Sequence, residues 1–257
     1  MPLSISGRRS ELGKLLGREA LRGGALKLHI NVAGQQANTL LHDGHAWKGF
    51  DTSLRASVRR SLRAEADFVV FASLALVQRI PAKEPLLSLA RTILACEQQV
   101  LAGPTPACIV RLGYLYGPTS TDLKAYRQAF GIGRPYWAGP RSAGQFHLHH
   151  DDAVQALLQA GQPKNTSRIL YATAGPALPF MRFMDHFAHT LGTRCPLHVP
   201  LITAPLMQLT VRNEHMQQVA LGMPSEPPGP RVPGWSPAIT DHRQGLDNIV
   251  AGWSDAV

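Results

Sequence analysis

Apolar residues along this chain come in two rhythms. Short runs such as Leu28-His29-Ile30-Asn31-Val32, Phe68-Val69-Val70-Phe71 and Cys108-Ile109-Val110-Arg111-Leu112 alternate with longer stretches in which apolar positions recur at helical spacing. The first rhythm is that of strands buried on both faces of a parallel sheet, and the second that of helices packed on it by one face. The stretch from Phe68 to Pro118 holds one complete unit. It reads as a strand, a loop with Pro81 and Pro85, a helix from Leu86 to Leu101, and a second strand running into Gly113-Tyr114-Leu115-Tyr116-Gly117-Pro118. Parallel strands need a crossover of this length, so a βαβ unit is predicted here.

The flanking pattern adds further elements. Leu12, Leu15, Leu16 and Ala20 lie at helical spacing ahead of Gly23-Gly24, and Asp51 to Glu65 predicts a helix. Helices are expected over Thr119 to Phe130 and Phe180 to Leu191, the latter stopped by Gly192, with a strand at Arg168 to Tyr171. An α/β architecture follows.

Composition narrows the picture only a little. With 257 residues and 44% hydrophobic content the chain can bury a sizeable core and is not a disordered protein. The charge of +9 permits contact with nucleic acid, anionic cofactors or membrane surfaces. Arg55, Arg59 and Arg63, with Arg60 beside them, form a strip that reads as an RNA contact or as a solvated helix face. No aromatic residues interleave with it to stack bases, which favours the solvated face. The three cysteines, 96, 108 and 195, lack C-x-x-C spacing, so neither a disulfide framework nor a structural zinc site is expected, and reduced thiols point to the cytoplasm. The first residues lack the charged-then-apolar order of a signal peptide. Pro200 and Pro205 interrupt the most apolar late stretch, so no membrane span is expected.

Glu97 and the run Arg111 to Pro118 carry a resemblance. They resemble the back half of the nucleotide-binding domain of extended short-chain dehydrogenases, the NAD-dependent epimerase/dehydratase family. In that family the helix carries Tyr-x-x-x-Lys followed four residues later by Glu, and the next strand runs into Arg-x-x-Asn-x-Tyr-Gly-Pro. Gln145 to Val154 is similar to the family's Arg-x-x-Ile-His-Val-x-Asp motif. There His149 and Asp152 take the His and Asp places, Asp152 is expected to cap a helix, and Gln145 stands where a substrate-binding Arg is common. Gly234-Trp235-Ser236-Pro237 and Gly245-Leu246 resemble the family's closing residues.

The resemblance implies a Rossmann-like parallel sheet with helices on both faces, spanning about residues 1–160. A small C-terminal lobe over 161–257 would interleave with it in space. It implies NAD or NADP as cofactor, with Ala33, Gly34, Gly113 and Tyr116 on the cofactor side and Tyr114 and Gln145 in the substrate cleft. Arg111, Gly117, Pro118, His149 and Asp152 would be structural. The family's catalytic Ser/Thr, Tyr and Lys places fall at Leu74, Leu89 and Ile93. Aliphatic side chains can neither move a proton nor hold a substrate oxygen, and residues 86–96 contain no Tyr and no Lys. The expected protein is therefore a family member with a degenerate site, not competent for hydride transfer. The alternatives are a non-enzymatic RNA- or protein-binding scaffold of the same fold, or a truncated product of a longer oxidoreductase gene.

The front of the domain departs most. The run Leu28 to Gly34 resembles the family's fourth strand yet stands almost at the start. The family's opening G-x-x-G-x-x-G turn has no glycine match, and Gly131-Ile132-Gly133 is followed by Tyr136 where a third glycine belongs. The expectation is that the first strands and the Gly-rich turn are missing, with Ser4 to Arg9 a remnant of the third strand. The residue that would choose NAD or NADP is missing with them. The Leu28 to Val32 strand would then be an apolar edge, to be covered by a second copy, a partner protein or residues 1–27. His147, His149, His150, Asp151 and Asp152 invite a metal reading, but a strand gives at most two histidines on one face, and the family motif accounts for His149 and Asp152. No metal site is expected.

Overall fold

The computed structural model describes residues 3–19, 26–34, 49–79, 84, 86–133, 143–194 and 222–254. The chain enters through β1 (Leu3–Ser6), turns at Gly7 and runs through α1 (Glu11–Glu19), β2 (Leu28–Asn31), α2 (Phe50–Leu62), β3 (Phe68–Leu74), α3 (Leu86–Leu101) and β4 (Ala107–Leu112). It continues through β5 (Tyr114–Tyr116), α4 (Thr121–Gly131), β6 (Gly144–Gln145), β7 (His147–His149), α5 (His150–Ala160) and β8 (Ile169–Ala172). The last elements are β9 (Leu178–Pro179), α6 (Phe180–Thr190) and α7 (His242–Ser254).

Five strands form one parallel sheet in the order β1-β2-β3-β4-β8. Alternate side chains feed two cores, which is why the strand sequences are almost continuously apolar. Ile30, Val70 and Val110 pack with Leu12 and Leu16 of α1 and Leu157 of α5. Val69, Phe71 and Ile109 pack with Val58 of α2 and Ile93 of α3. A third cluster joins Phe130 of α4, Phe183 and Phe187 of α6, and Leu246 of α7. The predicted βαβ unit is present, with β3 and β4 paired from Val69↔Ala107 to Leu74↔Leu112. β8 joins the main sheet, while α4 packs against the later helices. Helix α2 stops at Leu62, short of Glu65, where Arg63 donates its N–H back to the last turn.

The front of the chain corrects the sequence reading. β1 is hydrogen-bonded to β2 in parallel, from Leu3↔Leu28 to Ser6↔Asn31, so residues 3–6 are not a third strand left over at a distance. The hydroxyls of Ser4 and Ser6 hydrogen-bond the buried His29 ring, at 2.7 and 3.2 Å, which fixes that register. The Leu28 to Val32 edge is therefore covered by the chain's own residues. What is short is the link after α1: α1 ends at Glu19 and β2 begins at Leu28, leaving residues 20–27 between them. That link has no room for further strand–helix units. α1 also lies on the sheet face opposite α2 and α3, although all three connections step the same way across the sheet. The β1–α1–β2 connection thus has the opposite hand to the two that follow, against the strong preference for one hand.

Two glycines in α1 separate packing from propensity. A Cβ on Gly13 would collide with the Gly7 carbonyl oxygen and the Arg8 Cα, whereas one on Gly17 would meet nothing within 4 Å. Gly13→Ala is expected to destabilise by about 1–3 kcal/mol in urea melts, and Gly17→Ala to stabilise by about 0.5–1 kcal/mol. Equal effects would contradict this packing of α1.

Candidate functional site

The carboxyl ends of the parallel strands converge on the β1–α1 turn. Gly7 has φ +83°, and a Cβ there would lie 3.0 Å from the Ala33 amide nitrogen and 3.0 Å from Val32 Cγ2. The Ser10 hydroxyl donates to the Gly7 carbonyl at 2.7 Å and accepts from the Gly13 N–H at 3.1 Å, closing the turn and capping α1. Gly7, Ser10 and Gly13 therefore hold the three places of a G-x-x-G-x-x-G turn, with serine in the middle. The expected glycine triplet is incomplete, but a turn of its spacing stands between β1 and α1. A search for glycine triplets passes over it; the available signal was a strand, two glycines six apart and an immediate helix. Gly131 and Gly133, by contrast, sit at the end of α4, and Gly133 has φ +68°.

One of the residues assigned to the cofactor side lies against this turn. Ala33 abuts Gly7, and Gly34 follows it; a Cβ on Gly34 would stand 2.8 Å from the Ala72 carbonyl oxygen. Gly113 is at the carboxyl end of β4, where a Cβ would be 2.9 Å from the Phe146 oxygen. Tyr116 is placed differently. It is fully buried, edge-on to Phe183 and His149, with its hydroxyl against Gly245 of α7.

Leu74, Leu89 and Ile93 belong to the apolar core between α2, α3 and the sheet, Leu74 and Ile93 buried and Leu89 half-buried. The neighbouring Ser73 is no substitute, because its hydroxyl donates to Glu97 Oε1 at 2.5 Å inside the sheet. Glu97 in turn holds Arg111 through Nε at 3.0 Å and Nη2 at 2.6 Å, and Arg111 Nη1 donates to the Tyr171 hydroxyl at 3.0 Å. Gly117 lies against His150, and Pro118 accepts a hydrogen bond from Trp253 Nε1 at 2.9 Å.

A second polar group sits where α1, α4 and β5 meet. The Tyr114 hydroxyl donates to Asp122 Oδ2 at 3.3 Å, and Asp122 Oδ1 is buried without a partner among the described residues. Burial pushes the Asp122 carboxyl up to about 7; the Tyr114 bond opposes this, and the charge of Glu11 adds to it. Burial also raises Tyr114, with the Asp122 charge next. Glu11 of α1 accepts from the Thr121 N–H at 2.8 Å and from the Thr121 hydroxyl, so the start of α1 is tied directly to the start of α4. Glu11 also lies 3.6 Å from His150 Nε2, but burial drives His150 down to about 4, so at neutral pH this is no ion pair. His147 stacks on Phe183 at 4.3 Å and meets Tyr114 edge-on at 5.9 Å. Burial lowers it to about 3, the charge of His242 adds to this, and a backbone hydrogen bond at Gln145 opposes it.

The other motif residues find structural places. His149, not Asp152, caps α5: its Nδ1 accepts from the Asp151 N–H at 3.3 Å. The Asp152 carboxylate instead accepts from Ala238 and Ile239 amides at 2.7 and 3.0 Å, anchoring the C-terminal segment on α5. Gln145 is buried in β6, paired with Leu178. Among the described residues, no group of three or more His, Cys, Asp or Glu side chains is placed to hold a metal ion. None of their helices is long and apolar enough to cross a membrane. In the arginine strip, Arg55 pairs with Asp51 at 2.9 Å, and Arg59, Arg60 and Arg63 are exposed.

No protein-family model matches the chain. Over 159 residues it is 28% identical to a 3-diazoavenalumate denitrifying reductase from Streptomyces sp, covering 61% of this chain and 51% of the reductase. The chain thus spans about half the length of that curated relative. Among solved structures, the human epimerase family protein SDR39U1 with NADPH is similar with a TM-score of 0.74 at 14% identity, over 98% of this chain and 99% of that one. UDP-glucose 4-epimerase from Thermotoga maritima with UDP-glucose gives 0.70 at 11% identity, over 100% and 99%. The Thermus thermophilus UDP-glucose 4-epimerase with NAD gives 0.66 at 14% identity, over 100% of both chains. The protein has the Rossmann-like fold of these NAD(P)-dependent epimerase structures.

Asp122 gives a pH test of the site. Its folded carboxyl lies above the ordinary 3.8, so the stability it lends is full below about pH 4 and is lost as pH rises through about 7. Asp122→Asn removes that loss, and its advantage over the parent chain should grow by roughly 2 kcal/mol between pH 5 and pH 8. An advantage that stays constant between the two pH values would contradict the burial of this carboxyl.

Proposed function

We propose that a chain with this epimerase fold binds NAD or NADP with the diphosphate over the β1–α1 turn. The observation that carries the reading is the placement of Gly7, Ser10 and Gly13 at the start of α1, with Gly7 directly against Ala33. A helix N-terminus offers free amide donors and a partial positive charge to an anion, and glycine lets the backbone come close. The residues present fit such a group: no side chain stands out from Gly7 or Gly34, and Arg8 and Arg9 are exposed on the turn. Ser10 departs from the glycine pattern, but its hydroxyl is engaged within the turn. When bound, the dinucleotide would supply or accept a hydride.

The same reading withholds the usual acid–base chemistry. With Leu74, Leu89 and Ile93 in the core, the set that interconverts alcohols and carbonyls in the epimerase/dehydratase family is gone, and sugar epimerisation through it is not assigned. A second reading, hydride donation from NADH or NADPH to an acceptor other than a sugar alcohol, is favoured by the identity shared with a reductase. RNA binding through Arg55, Arg59, Arg60 and Arg63 is less well supported, because Arg55 is engaged by Asp51.

Titration with NADH and NADPH by cofactor fluorescence or calorimetry tests the main reading. Saturable micromolar binding is expected. Arg8→Ala together with Arg9→Ala should weaken it by about tenfold, roughly 1.4 kcal/mol. Absence of binding up to millimolar dinucleotide would remove the reading.

A further inference from the structure

The Tyr114–Asp122 pair occupies a place that the loss of the usual acid leaves open. We propose that Tyr114, backed by Asp122, is the proton donor for reduction of a small aromatic carbonyl acceptor by NAD(P)H bound at the β1–α1 turn. This rests on the reductive reading of that site.

Four observations carry it. Tyr114 follows Gly113 at the carboxyl end of β4, the side of a parallel sheet on which ligands sit, and it is only half-buried. Its hydroxyl is held by Asp122 at 3.3 Å, and the second Asp122 oxygen is buried with no partner among the described residues. The pair is wired to the dinucleotide turn: Asp122 follows Thr121, whose amide and hydroxyl both donate to Glu11, the residue after Ser10. Around Tyr114 stand the rings of His147, Phe180 and Phe183, at 5.7 to 6.0 Å and edge-on, a setting suited to a flat apolar acceptor.

The step balances without another reagent. The acceptor's carbonyl carbon gains the hydride as the nicotinamide C4–H bond breaks. Its oxygen takes the Tyr114 hydroxyl proton, and Tyr114 recovers a proton from the Asp122 carboxyl, which is refilled from water. The acceptor is reduced to an alcohol and NAD(P)H is oxidised to NAD(P)+. Tyr114 touches the acceptor and is the catalytic residue; Asp122 acts through it. The groups facing Asp122 are Tyr114 of β5, Tyr126 of α4 and Glu11 of α1, with His150 behind Glu11 and His147 beyond Tyr114. Since both histidines are held neutral by burial, the carboxyl is the member of this group poised to change charge near neutrality.

The test uses the full chain, NADPH and 4-nitrobenzaldehyde as probe acceptor. NADPH consumption is expected to fall as pH rises through about 7. Tyr114→Phe should lower it by about 100-fold or more, and Asp122→Asn should flatten the pH profile. Both variants should bind NADPH within about twofold of the parent chain. Infrared spectra supply a readout apart from turnover: a protonated-carboxyl band that disappears through neutrality, is missing in Asp122→Asn and is shifted in Tyr114→Phe. Full activity in Tyr114→Phe, an unchanged pH profile in Asp122→Asn, or no reduction by a chain that binds NADPH would overturn the proposal and leave the cofactor reading standing. Failure to bind NADPH at all would remove the cofactor reading and this proposal with it.

Discussion

A guanidinium buried between strands must be neutralised where it stands, and in this fold Arg111 is neutralised by Glu97. Both side chains are almost completely buried, and the pair draws in Ser73 and Tyr171. One polar knot thereby ties β3, α3, β4 and β8 together. Removing either charge would strand the other in a low-dielectric interior, a cost of about 3–5 kcal/mol, so the knot fixes the rotation of α3 on the sheet. With that rotation fixed, Leu89 and Ile93 meet the face that carries Leu74. Three positions that would be polar in an acid–base site become one apolar seam. The apolar seam and the polar knot are compatible because different faces of the same helix carry them.

The front of the domain follows another constraint. A parallel sheet cannot leave a long apolar edge open, and β2 is closed by β1 through four residues and a serine–histidine seam. The strand then turns at Gly7 straight into α1. Keeping α1 on its own face makes the connection to β2 run with the opposite hand. It also preserves the approach of an N-terminal helix end to the carboxyl edge of the sheet, where Ala33 and Gly34 wait.

Much of this was legible in the sequence where one residue type has one job. Continuous β-branched runs announced the central strands, and the run from Arg111 to Pro118 announced the resemblance. The opening turn was not legible because serine can replace a glycine when its hydroxyl closes the turn from within, and a search for glycine cannot see that. Asp152 misled for a similar reason. An aspartate at the start of a helix reads as a cap, but here a histidine takes the cap and the carboxylate reaches across to a distant segment. The Tyr114–Asp122 pair was half legible: Tyr114 stood out at its motif place, whereas Asp122 acquires its character from burial, which no local pattern reveals.

On the proposed reading, the turn from Gly7 to Gly13 is where a dinucleotide's diphosphate rests. Amide hydrogen exchange across the chain, with and without saturating NADPH, tests it most directly. Slowed exchange is expected to concentrate at residues 7–13 and 32–34, on either side of the point where Gly7 meets Ala33. Unchanged exchange there, with protection appearing elsewhere or nowhere, would contradict it.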